Sequence, residues 1–197
     1  SEPPSYYVAG YLAVVVLFTP LSRIGSTVAR HRDSNRFVLL AAGPMTRLEW
    51  LIAHTLVTAA IVVVAAFLLL VLVYAVTPVS LPSVAGLGLI ALAVSIGAVA
   101  FGALGALIGS LTRSTDGVIA AANAIALPLL FLSETFIPAA LLPAWFAPVM
   151  ALSPLTYVVR PIRLVTVEGV VAPLGLGPII VMMLVALVLA ARLLPRL

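Results

Sequence analysis

The residues that could do chemistry in this chain are few, and one of them is a carboxylate in an apolar stretch. Glu134 lies in the segment SETFIPAALLPAWFAP, residues 133–148, which also contains three prolines. An ionisable group among apolar residues is costly, so it is a functional candidate whose partner has to be found. Arg160 and Arg163 follow further along the chain and are the candidate ion-pair partners. We expect Glu134 either to pair with one of them or to be solvated at the edge of the apolar region.

The composition excludes several other kinds of chemistry. All ten basic residues are arginines, so the chain has no lysine for a phosphate-binding P-loop or a Schiff base. It has no cysteine, and therefore no disulfide or thiolate chemistry. His31 and His54 lack metal-ligand spacing, and no G-x-S-G motif accompanies them. We therefore expect no catalytic residue, no metal site and no ATP site of the P-loop type in this chain.

The same composition places the chain in a membrane. Hydrophobic residues make up 64% and charged residues 8% of it, against about 45–50% and 25% in soluble domains. Such a chain cannot cover a globular surface with polar groups. The basic charge clusters at the ends of apolar stretches, as in membrane proteins, which argues against nucleic-acid binding.

Apolar stretches of the length of a membrane span occur five times. A spanning helix needs about 20 apolar residues. The predicted spans are residues 6–28, 51–76, 84–111, 117–132 and 173–194. The expected fold is an all-α, polytopic membrane helical bundle that forms one transmembrane domain over residues 1–197.

The arginines are distributed unevenly between the two sides of this bundle. One side carries Arg23, Arg30, Arg32, Arg36, Arg47, Arg113, Arg192 and Arg196. The other side has only Arg160 and Arg163, together with Glu2, Glu134 and Glu168. The positive-inside rule makes the arginine-rich side cytoplasmic, with the N-terminus outside and the C-terminus inside. Residues 1–6 then resemble the tail of an external loop, which implies a preceding span that this chain lacks.

Residues 30–50 form the longest predicted cytoplasmic segment. FVLLAA, residues 37–42, is a short apolar run before the helix breakers Gly43 and Pro44, typical of a short helix at the membrane surface. Thr46 and Glu49 have the spacing of a capping box, and Met45 and Trp50 that of a hydrophobic staple. A rigid docking element and a well-capped, solvated loop both fit this pattern.

Residues 133–153 cannot form a spanning helix because of their prolines, yet they are too apolar for an exposed loop. Non-helical backbone at membrane depth is tolerated only when it is buried in protein or lines water. We predict an external re-entrant hairpin that gates a pathway. The gate candidates are Glu134, Phe136, Pro138, Trp145 and Tyr157. Ser153 is expected to cap an interfacial helix that ends near Gly169.

Glycines recur along one face of the third span. Gly105 and Gly109 form a GxxxG motif, and Ala98, Gly102 and Ala106 form a second ridge of small residues. Small residues let membrane helices approach closely. The row is expected to be a packing surface within the chain, with a dimer seam or a substrate path as alternatives.

Two blocks of sequence resemble type-2 ABC exporter permeases. RHRDSNRFVLLAAGPMTRLEW is similar to the family's coupling region, and LPLLFLSETFIPAALLPAWFAPVMALSPLTYVVRPIR to its second signature. Asn35-Arg36 stands where the family has Gly-Thr, and Glu134 where it usually has glycine. The resemblance assigns coupling to an ATPase to Arg32, Asp33, Arg36, Phe37, Leu40, Arg47 and Glu49.

This resemblance also implies the partners and the activity. The family normally has six spans, so the first is apparently missing here. Two cytosolic ATPase subunits would bind ATP and Mg²⁺, leaving no cofactor in this chain. A second permease subunit, identical or homologous, would complete an exporter of amphipathic or lipid-linked substrates in the plasma membrane. The alternatives are an ion-coupled secondary transporter and, less favoured by the residues present, an intramembrane enzyme.

Overall fold

The computed structural model describes residues 4–34, 36–37, 43, 45–77, 81–112, 114–136 and 143–194. All elements in these ranges are helical. The helices are α1 (Pro4–Asp33), α2 (Arg47–Val76), α3 (Val84–Leu111), α4 (Thr115–Phe131), α5 (Ala147–Leu152), α6 (Thr156–Arg163) and α7 (Gly177–Leu193). A 3₁₀ turn, Ala144–Phe146, precedes α5; a π-helical turn, Leu164–Glu168, continues α6; and a second 3₁₀ turn, Pro173–Leu176, leads into α7.

The lengths and hydropathy of these helices confirm the predicted all-α membrane bundle. Three of them are long and apolar enough to cross a membrane, over Ser5–Asp33, Arg47–Val76 and Val84–Leu111. The two remaining predicted spans correspond to Thr115–Phe131 and Gly177–Leu193. At 17 residues each, they are at the lower limit of about 17 residues for a membrane-spanning helix.

The first helix packs against the third along a seam of glycines. A Cβ atom on Gly105 would lie 2.3 Å from the carbonyl oxygen of Leu21, and one on Gly109 would lie 2.4 Å from that of Gly25. A methyl group fits at neither position, so the two backbones touch directly. These contacts of Gly105 and Gly109 are made within the chain. A Cβ atom on Gly102 would lie 3.2 Å from Cγ2 of Thr55.

The buried side chains form two clusters. The larger has members on α1, α2, α3, α4, α6 and α7, among them Val16, Val94 and Val158. The smaller cluster joins four helices at one end of the bundle. It consists of Ile24, Val28, Phe37, Trp50, Leu51, Ala106, Ala190 and Leu194.

Most of the charged residues that the structure describes lie toward the two ends of the bundle. The end that holds the smaller cluster, here called the arginine-rich end, carries Arg30, Arg32, Arg36, Arg47 and Arg192. The opposite end, here called the Glu134 end, brings together the start of α1, the turn after α4, and α6. The two ends therefore differ in charge and offer different sites.

Candidate functional site

At the Glu134 end, Arg160 binds both carboxylate oxygens of Glu134. Its Nε donates to Oε1 and to Oε2 at 3.0 Å each, and its Nη2 donates to Oε1. The Glu134 side chain is 10% exposed, whereas that of Arg160 is 47% exposed. The hydrogen bonds to the carboxylate raise the pKa of Arg160 above its ordinary value. The pair is therefore nearly buried on the carboxylate side and open on the guanidinium side.

The second candidate arginine binds the backbone of the same turn. Nη2 of Arg163 donates to the carbonyl oxygen of Glu134 and, at 3.1 Å, to that of Thr135. Its guanidinium carbon lies 3.9 Å from the centroid of the buried Tyr6 ring, which is a cation–π contact. The two arginines thus tie the turn after α4 both to α6 and to the start of α1.

Hydroxyl groups satisfy the carbonyls at the end of α4. The last carbonyls of a helix lack partners within it. Ser133 Oγ donates to Leu130 O at 2.8 Å and contacts the Thr135 hydroxyl, and Ser153 Oγ donates to Leu129 O at 3.1 Å. The prediction that Ser153 caps the following helix is therefore wrong. That helix starts later, at Thr156, and the hydroxyl turns back to α4.

The turn after α4 lies directly on α1. A Cβ atom on Gly10 would lie 2.9 Å from Thr135 O and 3.1 Å from Cε1 of Phe136. Phe136 is thus anchored against α1 and is 37% exposed. Pro138 and the rest of residues 137–142 lie outside the described residues, so only the two flanks of the predicted hairpin are described.

The other gate candidates lie on the second flank. Trp145 is 70% exposed and makes an edge contact with Phe146, the ring centroids being 5.6 Å apart. Tyr157 is half-buried, and its hydroxyl donates to Ala151 O at 2.8 Å, which fixes α6 against α5. An exposed tryptophan beside a buried helix is the arrangement found at membrane interfaces.

At the arginine-rich end, four rings form a cluster. Phe37 lies 5.3 Å from Trp50 between ring centroids, and Trp50 stacks on His54 at 4.1 Å. His31 meets all three rings at 5.4–5.8 Å. Phe37 and Trp50 are almost fully buried. Phe37 thereby fixes the segment after α1 to the first turn of α2.

The charged coupling candidates surround this cluster. Arg32 Nη1 donates to Gly109 O at 3.4 Å, which links α1 to the end of α3. The pair of Arg32 with Asp33, 3.6 Å apart and partly exposed, adds little. Arg36 is exposed, as a docking residue must be. Leu40 lies outside the described residues.

The predicted capping box at the start of α2 is confirmed. Glu49 Oε2 accepts from the Thr46 backbone N–H at 2.7 Å, and the Glu49 N–H donates to the Thr46 hydroxyl at 3.3 Å. Arg47, the first residue of α2, is half-buried. The predicted hydrophobic staple between Met45 and Trp50 is not the main contact of Trp50. The Trp50 ring packs on Phe37, while Met45 is 43% exposed.

Sequence spacing did not reveal two of these features. The positions of His31 and His54 predict no metal site, and the described residues contain no group of three metal-binding side chains. Nothing in their spacing indicates that the two rings meet, 5.8 Å apart. Arg163 is a candidate for the carboxylate by sequence, but it binds carbonyls. The one available signal for the ring cluster was the isolated aromatic residue Phe37 after a basic run.

A comparison with family models decides the family. The model described as ABC-2 type transporter matches residues 3–166, which include both ends of the site. The chain belongs to the ABC-2 type transporter family. A comparison with curated proteins gave no significant match.

Membership of the ABC-2 family makes this chain a transport permease component of an ABC transporter, and not the subunit that hydrolyses ATP. The family implies association with ABC ATPase subunits. In this chain, the arginine-rich end and the ion-paired turn lie at opposite ends of one bundle.

Proposed function

We propose that this permease belongs to an ATP-driven exporter that moves an amphipathic or lipid-linked substrate outward across the plasma membrane. Its arginine-rich end faces the cytoplasm, and the start of α1 faces outward. Separate ATPase subunits bind ATP and Mg²⁺ there. A second permease subunit, identical or homologous, forms the other half of the path.

The observation that carries this proposal is the anchoring of the segment between α1 and α2. Phe37 is buried against Trp50 in the first turn of α2 and against His31 in the last turn of α1. A subunit that pushes on this segment therefore pushes on two spanning helices at once. Arg36 lies beside Phe37 and is exposed, so it is available to a docked ATPase.

The charge distribution supports the orientation. Arginines gather at the end where the coupling candidates lie, and such a bias marks the cytoplasmic side. At the other end, both arginines of α6 are engaged with the turn that contains Glu134. A turn tied to α6 and resting on α1 at Gly10 is suited to act as an external gate that shifts when α1 tilts.

Reconstitution tests the proposal. The permease, together with the ABC ATPase that co-purifies with it, is placed in liposomes, and permease-stimulated ATP hydrolysis is measured. Arg36→Ala should lower the stimulation about tenfold, equal to about 1.4 kcal/mol of docking energy. Arg192→Ala is the matched control, because Arg192 is also exposed at this end but lies on α7; it should leave the stimulation unchanged.

The result that contradicts the proposal is transport by the permease alone. An ion gradient that drives substrate movement without any ATPase would establish the secondary-transporter alternative. Equal loss in both variants would show that Arg36 acts only through net charge and has no docking role.

A further inference from the structure

A groove lined by both polar and apolar side chains lies between α1 and α2, near the arginine-rich end. It encloses about 370 Å³, which is within the range of about 300–1,000 Å³ for small-molecule sites. Its polar lining consists of Arg23, Thr27, His54 and Thr58, and its apolar lining includes Ile24 and Val57. None of these residues belongs to the coupling or gate candidates.

Arg23 is the unusual member of this groove. It lies within the predicted first span, residues 6–28, five residues before the end of that span, or about 7.5 Å along the helix axis. Its side chain is exposed, and the structure shows no hydrogen bond or ion pair to it from the described residues. A charged side chain inside a span is costly and by default marks a functional site. Arg23 is therefore a candidate binding residue for an anion that none of the described residues supplies.

A hydrogen-bonded side chain on the same face of α1 lies between this groove and a second pocket at the end of the helix. The Thr27 hydroxyl donates to Arg23 O at 2.8 Å and accepts from Arg30 Nη2 at 3.3 Å. Arg30 also lines a second pocket, of about 600 Å³, together with Arg36 at the end of the helix. Arg30 therefore lies between Arg23 and the pocket at the end of α1, which the carboxylate of Asp33 also lines.

His54 completes the polar wall and provides a reporter. Its Nδ1 lies 2.9 Å from Trp50 O. Because a carbonyl oxygen only accepts, Nδ1 carries the proton in this contact and Nε2 stays available for another partner. The ring stacks on Trp50 at 4.1 Å, so a ligand that contacts His54 perturbs the tryptophan next to it.

We propose that this groove binds the anionic head group of an amphiphile, a phosphate or carboxylate held by Arg23. The guanidinium fork matches both anions. The hydroxyls of Thr27 and Thr58 suit their remaining oxygens, and Val57, 59% exposed on the neighbouring turn of α2, offers an apolar surface for the chain of the ligand. The inference rests on the proposed function only in naming this amphiphile as transported cargo.

Fluorescence of Trp50 tests the site without any ATPase. Trp145→Phe leaves Trp50 as the single tryptophan, since the chain has two. The full chain in neutral detergent is titrated with dodecyl phosphate, with dodecyl maltoside as the uncharged probe and inorganic phosphate as the free anion. Only dodecyl phosphate should change the fluorescence with saturation. Arg23→Gln in this background should weaken binding about tenfold or more, whereas Arg192→Gln should change it less than about twofold.

Three outcomes would overturn the inference. The first is that Arg23→Gln binds dodecyl phosphate as tightly as before and has an unaltered thermal unfolding curve. The second is that Arg192→Gln weakens this binding as much as Arg23→Gln does. The third is that inorganic phosphate saturates the fluorescence change at the same concentration as dodecyl phosphate. ATP-dependent transport is measured separately in the chain with both tryptophans. Absence of dodecyl phosphate binding to the chain with Arg23 intact, together with normal ATP-dependent transport, refutes this site alone. Dodecyl phosphate binding without ATP-dependent transport refutes the exporter proposal alone.

Discussion

The ion pair at the Glu134 end predicts an asymmetry between its two partners. Arg160→Gln strands a carboxylate that is 10% exposed, whereas Glu134→Gln strands a guanidinium that is 47% exposed. Removing one partner of a fully buried pair costs about 3–5 kcal/mol, and exposed pairs contribute about 0.2–1 kcal/mol. For this half-open pair we expect about 2 kcal/mol for Arg160→Gln, as an intermediate between these limits.

Glu134→Gln should cost less, about 1 kcal/mol, because water can solvate the freed guanidinium and the new amide oxygen still accepts from Arg160. Arg163 keeps its bonds to the two backbone carbonyls in both variants, so the turn itself should persist. The double variant should be less unstable than the sum of the singles by about 1 kcal/mol. Both single variants remove the same salt bridge. The difference between their losses of stability therefore measures the effect of burial on the partner that remains charged.

Thermal unfolding in a neutral detergent measures this cycle. For a chain of this size, about 1 kcal/mol corresponds to about 2–4 °C in Tm, so Arg160→Gln should lower Tm by about 4–8 °C. Equal shifts for the two single variants, or a larger one for Glu134→Gln, would show that the carboxylate is not the buried partner. Additivity of the two changes within about 0.3–0.5 kcal/mol would show that the pair is energetically independent.

Two further predictions concern the helices that connect the ends. Gly105→Ala should destabilise the bundle by more than about 2 kcal/mol, because its Cβ would lie 2.3 Å from Leu21 O. Gly88→Ala is the control, since open space surrounds this position in the same helix; its free energy of unfolding, derived from Tm, should be unchanged or higher by about 0.5–1 kcal/mol. Equal effects of the two substitutions would contradict the direct backbone contact between α1 and α3. Thr46→Ala should lower the stability of α2 by about 1 kcal/mol, because the capping box is lost. The measurement is amide hydrogen exchange in the first turn of α2, which should become faster. Unchanged exchange there would show that the cap is not needed.

Features set by neighbouring residues could be predicted from the sequence. The bounds of α3 coincide with the predicted span 84–111, since Ser83 provides a cap and Thr112 ends an uninterrupted apolar run. The capping box of α2 follows from the spacing of Thr46 and Glu49. Both depend on interactions within one helical turn, which the order of residues determines directly.

Features that depend on how the helices pack could not be predicted. By spacing, Arg160 and Arg163 were equally good partners for Glu134. The rotation of α6 against α4 places Arg160 at the carboxylate and Arg163 at the backbone carbonyls. Ser153 could have capped the helix that follows it, but its hydroxyl donates to the carbonyl of Leu129 at the end of α4. Such choices are made between segments more than twenty residues apart, and periodicity carries no information about them.

The two ends of the bundle are joined most directly by α1. This helix contacts the Glu134 turn at Gly10 and the ring cluster at His31, about 30 Å apart along its axis. Between these points Gly105 lies directly against its backbone, so α1 and α3 cannot slide past each other without a backbone clash. Interfaces packed this closely shift as units because they have no free volume to absorb a local bend. A push on Phe37 is therefore expected to reach Glu134 as a tilt of α1 and α3 together. The hydrogen bonds from Arg160 and Arg163 on α6 to the Glu134 turn are then the contacts expected to break or rearrange.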